Sequence, residues 1–119
     1  DTSYVIPMAG NGLWGPVWGF VALGKDKNTI TGIVFDHKSE TPGLGAKIAE
    51  KSFQDMFTAN PKMVMKEDKY MGLKVVKGGL KYPDHEVDAI SGATITSNGV
   101  SMMLKNVFMP YMKAWKKLK

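Results

Sequence analysis

Apolar and polar positions along this chain alternate with two different periods, and the switches between them mark out the elements. Residues 3–8 (Ser3-Tyr4-Val5-Ile6-Pro7-Met8) form a short apolar run checked by Pro7 and then Gly10, which predicts an edge strand or an extended entry. Residues 17–23 and 29–36 are β-rich and apolar at nearly every position, with Gly24-Lys25-Asp26-Lys27-Asn28 between them. They predict a hairpin whose strands are covered on both faces. The period then lengthens. Over residues 46–57, Ala49, Phe53, Met56 and Phe57 recur at helical spacing and predict one apolar helix face, closed by Asn60-Pro61. Residues 73–77 read as a strand and Gly78-Gly79 as a turn. The strongest periodicity comes last: Val100, Met103, Leu104, Val107, Phe108, Tyr111, Trp115 and Leu118 share one helical face, and Pro110 predicts a kink or a split in that helix. Strand hairpin, helix, further strands and closing helix describe an α+β fold, a mostly antiparallel sheet with packed helices, in one domain over residues 1–119.

Three glycine-containing segments interrupt this pattern. Gly10, Gly12 and Gly15 surround Trp14, which reads as a core indole between turns or as a residue held toward a ligand. Glu40-Thr41-Pro42-Gly43-Leu44-Gly45 is a strand-to-helix connection through a Pro-Gly turn, with glycines at a helix entrance where N–H donors are free. The third, residues 88–99, crowds Ser91, Thr94, Thr96 and Ser97 around Gly92 and Gly99 just before the last helix. Hydroxyls at a helix entrance cap it or share its unpaired donors with an anion, and Gly92 and Gly99 can take positive φ and bring backbone close to a ligand. Asp88 can hydrogen-bond a neighbouring hydroxyl or hold the loop. The residues alone leave an ordinary capped helix and a phosphate site both open.

The spacing D-x-x-S-G-A-T, carried by Asp88, Ser91, Gly92, Ala93 and Thr94, resembles the flavinylation motif of the FMN-binding domain family, found in the C-subunit of the sodium-translocating NADH:quinone oxidoreductase and the G-subunit of the related Rnf complex. The resemblance extends through Thr96-Ser97-Asn98-Gly99, through residues 40–45, and more loosely through Gly12-Leu13-Trp14-Gly15. It implies FMN as cofactor, joined through its phosphate to the hydroxyl of Thr94 by a dedicated flavin transferase. It also implies Trp14, Glu40, Thr41, Gly43, Leu44 and Gly45 around the ring, with Leu44 an apolar and Thr41 a polar contact. By the same resemblance the domain is an electron-transfer part of an NADH:quinone reductase that moves sodium, closer to the sodium pump's C-subunit than to its Rnf counterpart. Its partners are the other subunits of a membrane redox complex. An N-terminal transmembrane helix, absent from this chain, is expected to hold it at the bacterial inner membrane with the domain on the periplasmic side. A noncovalent flavin or anion-binding module is the alternative.

Composition narrows the remaining chemistry. At 119 residues and 44% hydrophobic, the chain suits one core and not two. It has no Cys, which removes disulfides, thiol chemistry and Cys-based metal sites. His85 between Asp84 and Glu86 reads as a solvated loop residue, His37 stands alone, and no metal ligand set is proposed. No Ser sits in a nucleophile elbow, so hydrolase chemistry is disfavoured. Net charge is +5, partly from Lys113, Lys116, Lys117 and Lys119. Without an Arg-rich stripe, zinc-finger spacing or RNA-binding aromatics, that charge reads as a solvated helix end and not as nucleic-acid binding.

Overall fold

The computed structural model describes residues 3–66 and 69–118, the last eight of these as helix backbone only. Three strands open the chain, β1 (Tyr4–Asn11), β2 (Pro16–Leu23) and β3 (Ile30–His37), paired antiparallel in the order β1-β2-β3. Met8 stands opposite Gly19, and Phe20 opposite both Pro7 and Val34. Because side chains alternate across a sheet, Met8, Val17, Val21, Leu23, Ile30, Ile33 and Phe35 fall on the buried face. Val5, Trp18, Phe20 and Val34 fall on the other and are exposed. The hairpin is therefore where the pattern put it but is covered on one face, not two: β-branched and aromatic residues satisfy strand propensity on either side.

The tight turn before β3 is built by Asp26, whose carboxylate accepts from the N–H groups of Asn28 and Thr29 and from the Thr29 hydroxyl. Burial works against ionisation there, yet these bonds hold the carboxyl below its ordinary range. Asn28 then brackets the next segment, its Oδ1 accepting from Val64 and Met65 N–H.

The helix expected over residues 46–57 is two pieces. A 3-10 turn, Gly45–Ala49, stops at Glu50, whose backbone is extended (φ −83°, ψ 148°), and α1 (Lys51–Thr58) starts afresh. The bend buries Ile48, and Ala49 is exposed instead of lying on the apolar face. Phe53 and Phe57 do face inward, forming a trio with Phe35 at ring separations of 5.5–5.6 Å. The Gln54 amide oxygen accepts from Phe35 N–H and ties α1 to β3.

Two small sheets follow. β4 (Met65–Lys66) and β5 (Lys69–Tyr70) form an antiparallel pair, and β6 (Lys74–Val76) pairs parallel with β7 (Glu86–Asp88). Gly78 and Gly79, both at positive φ, make the turn between β6 and β7. His85 is buried, with Nδ1 2.5 Å from the Met63 carbonyl, so it is a packed residue and not the solvated one its acidic neighbours suggest. Glu86 is buried too and accepts from Lys81 and Tyr82 N–H.

The last helix, α2 (Thr94–Leu118), runs past Pro110 without interruption and packs across β1 and β6. Val100, Met103, Leu104 and Phe108 are fully buried, which gives the expected face. Tyr111, Trp115, Leu118 and the lysine tail lie outside the described side chains. No helix among the described residues is long and apolar enough to cross a membrane.

Candidate functional site

Two β-turns and a glycine loop converge at the N-terminus of α2. In the first turn Thr41 O accepts from Leu44 N–H, with Pro42 and then Gly43 (φ +77°) between them. In the second, Ile90 O accepts from Ala93 N–H, with Ser91 and then Gly92 (φ +78°) between them. Both have the positive φ at the third position that makes glycine the favoured residue there. The turns touch, because the space a Cβ would fill on Gly92 lies 3.1 Å from Leu44 Cδ2.

α2 begins at Thr94, so Thr94, Thr96 and Ser97 lie inside its first turn and not before it. Ser97 Oγ accepts from Ile90 N–H and braces the preceding turn. Ser97 N–H makes the first helical bond, to Ala93 O, and nothing among the described residues accepts from the N–H groups of Thr94, Ile95 or Thr96. Three free donors and the positive end of a 25-residue helix dipole therefore point out of this end. Gly99 is helical and its role differs from the positive-φ one expected: a Cβ there would overlap the carbonyl oxygen of Asn11. Its absence lets α2 lie directly on the end of β1.

Between these segments lies an open cleft of about 280 Å³, lined by Leu13, Trp14, Thr41, Leu44, Gly45, Gly92, Ala93, Thr94, Ile95 and Thr96. Thr94 is exposed, as are the apolar side chains around it: Leu13 47%, Trp14 64%, Leu44 41% and Ile95 57%. Trp14 is thus no core residue. Four large apolar side chains left in water around the exposed hydroxyls of Thr41 and Thr94 and three free donors form a surface built to be covered.

Of the residues singled out by sequence, Trp14, Thr41, Leu44, Gly45, Gly92, Ala93 and Thr94 come together on the cleft wall. Gly43 and Ser91 sit at exposed turn positions outside its lining, and Asp88 ends β7, exposed, its carboxylate accepting from no hydroxyl among the described residues. Leu13, inside the loosely matching segment around Trp14, and Ile95, between Thr94 and Thr96, receive no role from the sequence; the fold puts both on the wall.

Glu40 lies beneath the wall, 3% exposed. Its Oε1 accepts from Leu13 N–H at 2.8 Å and from the Thr96 hydroxyl at 2.5 Å, and its Oε2 accepts from Trp14 N–H at 2.8 Å. Its own N–H donates to His37 Nδ1. Burial opposes ionisation, but the Thr96 hydroxyl and the two amides, helped by the His37 ring, outweigh it and hold the carboxyl below the usual range. Thr96 is buried. Two larger hollows lie elsewhere, about 640 Å³ along α2 from Asn98 to Met109 and about 500 Å³ around Lys66, Lys81 and His85. Neither contains a helix N-terminus. No cluster of metal-ligating residues exists among the described residues.

The profile of the FMN-binding domain family matches residues 12–108. The C-subunit of the Na(+)-translocating NADH-quinone reductase of Haemophilus ducreyi is 40% identical over 120 residues, covering 97% of this chain and 46% of its own. That of Vibrio alginolyticus is 44% identical over 97 residues, covering 81% and 37%. The crystal structure of the same C-subunit from Parabacteroides distasonis superimposes with a TM-score of 0.86 at 43% identity, covering 93% of this chain and 55% of its own. That of NqrC from Shewanella oneidensis gives 0.74 at 36%, covering 94% and 55%. The chain thus spans less than half the length of these two curated relatives.

Proposed function

The chain belongs to the FMN-binding domain family, and from that premise we propose that it carries FMN at the N-terminus of α2, as the electron-transfer module of the C-subunit of a sodium-translocating NADH:quinone reductase. The observation that carries this reading is Thr94: an exposed hydroxyl at a helix N-terminus with free N–H donors, on a cleft walled by exposed Trp14 and Leu44. The names of the relatives support the sodium pump over the Rnf complex.

The residues present fit the cofactor. The free N–H groups and helix dipole suit a phosphate, and Leu13, Trp14, Leu44 and Ile95 offer apolar surface to a ring, with Thr41 as a polar neighbour. At about 280 Å³ the cleft is at the small end for ligand sites, which run from roughly 300 to 1,000 Å³, so a ring lying there stays partly open to a redox partner. Bound FMN supplies the redox chemistry; the protein supplies placement and surroundings. Gly92 and Ala93 leave the approach to Thr94 unobstructed.

Attachment joins Thr94 Oγ1 to the flavin phosphate, whose ester to the ribityl chain stays intact, and releases the hydroxyl proton, while the phosphate leaving group held to that phosphorus by an anhydride bond in an activated flavin donor departs with the bonding pair. Thr is a weak nucleophile, and nothing that could serve as its base hydrogen-bonds the Thr94 hydroxyl among the described residues, so activation falls to the flavin transferase. Asp88, Ser91 and Gly43, exposed at turn and strand ends, are assigned to recognition by that enzyme or to shaping the wall. In the longer protein an N-terminal helix anchors the domain at the bacterial inner membrane on the periplasmic side, beside the other subunits of the complex.

The test is co-expression of the full-length protein with the flavin transferase, followed by a denaturing gel under ultraviolet light and a mass spectrum of the Thr94 peptide. A fluorescent band and a flavin-phosphate mass on Thr94 are expected. Flavin that washes off in detergent establishes the noncovalent module instead, and a bare Thr94 in a functional host ends the covalent reading.

A further inference from the structure

We propose that Glu40 is the positioning residue of this cleft: its carboxylate holds the loop bearing Trp14 by two backbone amides and locks away the Thr96 hydroxyl, so that Trp14 is held on the wall and, of the two threonine hydroxyls in the first turn of α2, only that of Thr94 is presented to the ligand. The latch is a property of the protein without ligand; that the ligand is a flavin rests on the function proposed above.

Four observations converge. Glu40 reaches across 26 and 27 residues to the loop and 56 residues to α2, so a single side chain ties together all three segments that build the cleft. Its oxygens are satisfied by two N–H groups and a hydroxyl, while the one ion pair among the described residues, Lys51 with Asp55, is elsewhere. Two glycines are explained by it and by nothing in their own backbone. Neither Gly12 nor Gly45 has positive φ, yet a Cβ on Gly12 would overlap Glu40 Oε1, and one on Gly45 would lie 2.6 Å from Thr96 Oγ1 and 3.1 Å from Glu40 Oε1. Finally, Trp14 is 64% exposed, so packing does not aim it; inside a loop that the Gly12 N–H closes on the Gly15 carbonyl, the bond from the Trp14 N–H to Glu40 is the one that ties the residue to the cleft.

An apolar side chain would fill this junction without the penalty of burying a charge. What it would lack is direction. Charge-assisted bonds are short and geometrically demanding, and here they set the loop by its backbone while leaving the indole free to meet a ring. The same carboxylate decides between two hydroxyls two positions apart in α2, one of them bonded and buried, the other exposed.

The deciding experiment follows backbone amides of the flavin-free domain by NMR. Leu13 and Trp14 amide protons are expected to shift together as pH falls, with an acid midpoint below that of an ordinary glutamate. Glu40→Gln is expected to abolish that shared step; the titratable side chain that faces Glu40 is His37, whose Nδ1 accepts from the Glu40 N–H. The same variant is expected to speed hydrogen exchange at Leu13 and Trp14 by about 10- to 100-fold relative to Phe57 in the core, the loss expected for hydrogen bonds to a charged group. Co-expressed with the transferase, it is expected to load flavin more slowly, still at Thr94. Amides that ignore the Glu40 titration, or that keep their protection in the variant, overturn the proposal. Should Glu40→Gln not fold, the wild-type titration decides alone. A protein whose amides titrate as described but whose Thr94 never takes flavin sinks the cofactor reading and leaves the latch standing.

Discussion

Thr94 and Thr96 stand two positions apart in the first turn of α2, the one open to solvent and the other sealed against Glu40. Chemically the two hydroxyls are alike, so position alone separates them. Thr94→Ala is expected to abolish covalent flavin, read as gel fluorescence, without loss of stability beyond about 0.5 kcal/mol, the usual range for a surface change. Thr96→Ala is expected to keep the label on Thr94 but to lower stability by roughly 1–3 kcal/mol, because a buried bond to a charged group is lost. Denaturant titration of both variants checks this. A label lost with Thr96 and kept without Thr94 would make the buried hydroxyl the acceptor.

Acid should loosen the site before it loosens the core. Glu40 titrates below its ordinary range in the folded chain, so it binds protons more readily when unfolded. Its contribution is therefore complete above the ordinary carboxyl value, roughly 4.3, and disappears as pH falls through the lower folded value. Asp26 carries the same sign. Urea midpoints measured downward from neutral pH should fall on that acid limb, and the limb should be shallower in Glu40→Gln. An unchanged slope would mean that the carboxyl titrates alike in both states.

Gly92→Ala and Gly99→Ala should fail for different reasons. At Gly92 the left-handed backbone costs a β-carbon about 1–2 kcal/mol, and Leu44 must also give way at 3.1 Å. At Gly99 the φ is ordinary for a helix, but the new methyl meets a backbone carbonyl that cannot step aside. Overpacking of that kind costs roughly 1–3 kcal/mol and should lift α2 off β1, disturbing Thr94 as well. Amide shifts distinguish the two, since Gly92→Ala should disturb the turn and Leu44 on the cleft wall while Gly99→Ala should disturb the contact of α2 with Asn11.

Phe57 is fully buried within the trio formed with Phe35 and Phe53. Phe57→Ala should cost about 3–5 kcal/mol through the cavity it leaves. By contrast Phe20, 51% exposed on the open face of the sheet, should tolerate Phe20→Thr within about 0.5 kcal/mol while reducing binding of an apolar dye. A large loss at Phe20 would show that this face is covered in solution.

Much of the architecture could be read from spacing, because period-2 and period-3.6 patterns report burial directly. The last helix was legible from Val100, Met103, Leu104 and Phe108, and the glycine turns from Pro42-Gly43 and Ser91-Gly92. Failures came where tertiary contacts choose between local options. Strand-like residues such as Phe20 and Val34 say nothing of which face meets the core. The extended backbone at Glu50 breaks a helical pattern that Ala49 and Phe53 continue across it in sequence. His85 looks solvated beside Asp84 and Glu86 until the chain folds Met63 over it. The parallel pairing of β7 with β6 has no local signature at all. In the cleft, the family resemblance led to Thr94, Trp14 and Leu44, while the part taken by Leu13 and Ile95 in the wall, and the way Glu40 faces backbone instead of the opening, emerge only from long-range contacts.

The cleft is assembled from positions near 13, 44 and 94, which meet nowhere but in the finished fold. An unravelled chain owns none of it, so whatever settles there favours the native state over every other by mass action. Occupancy and folding thereby become coupled: a filled domain should melt higher than an empty one, and a damaged domain should let the ring swing out of the cleft on its intact tether, or never receive it.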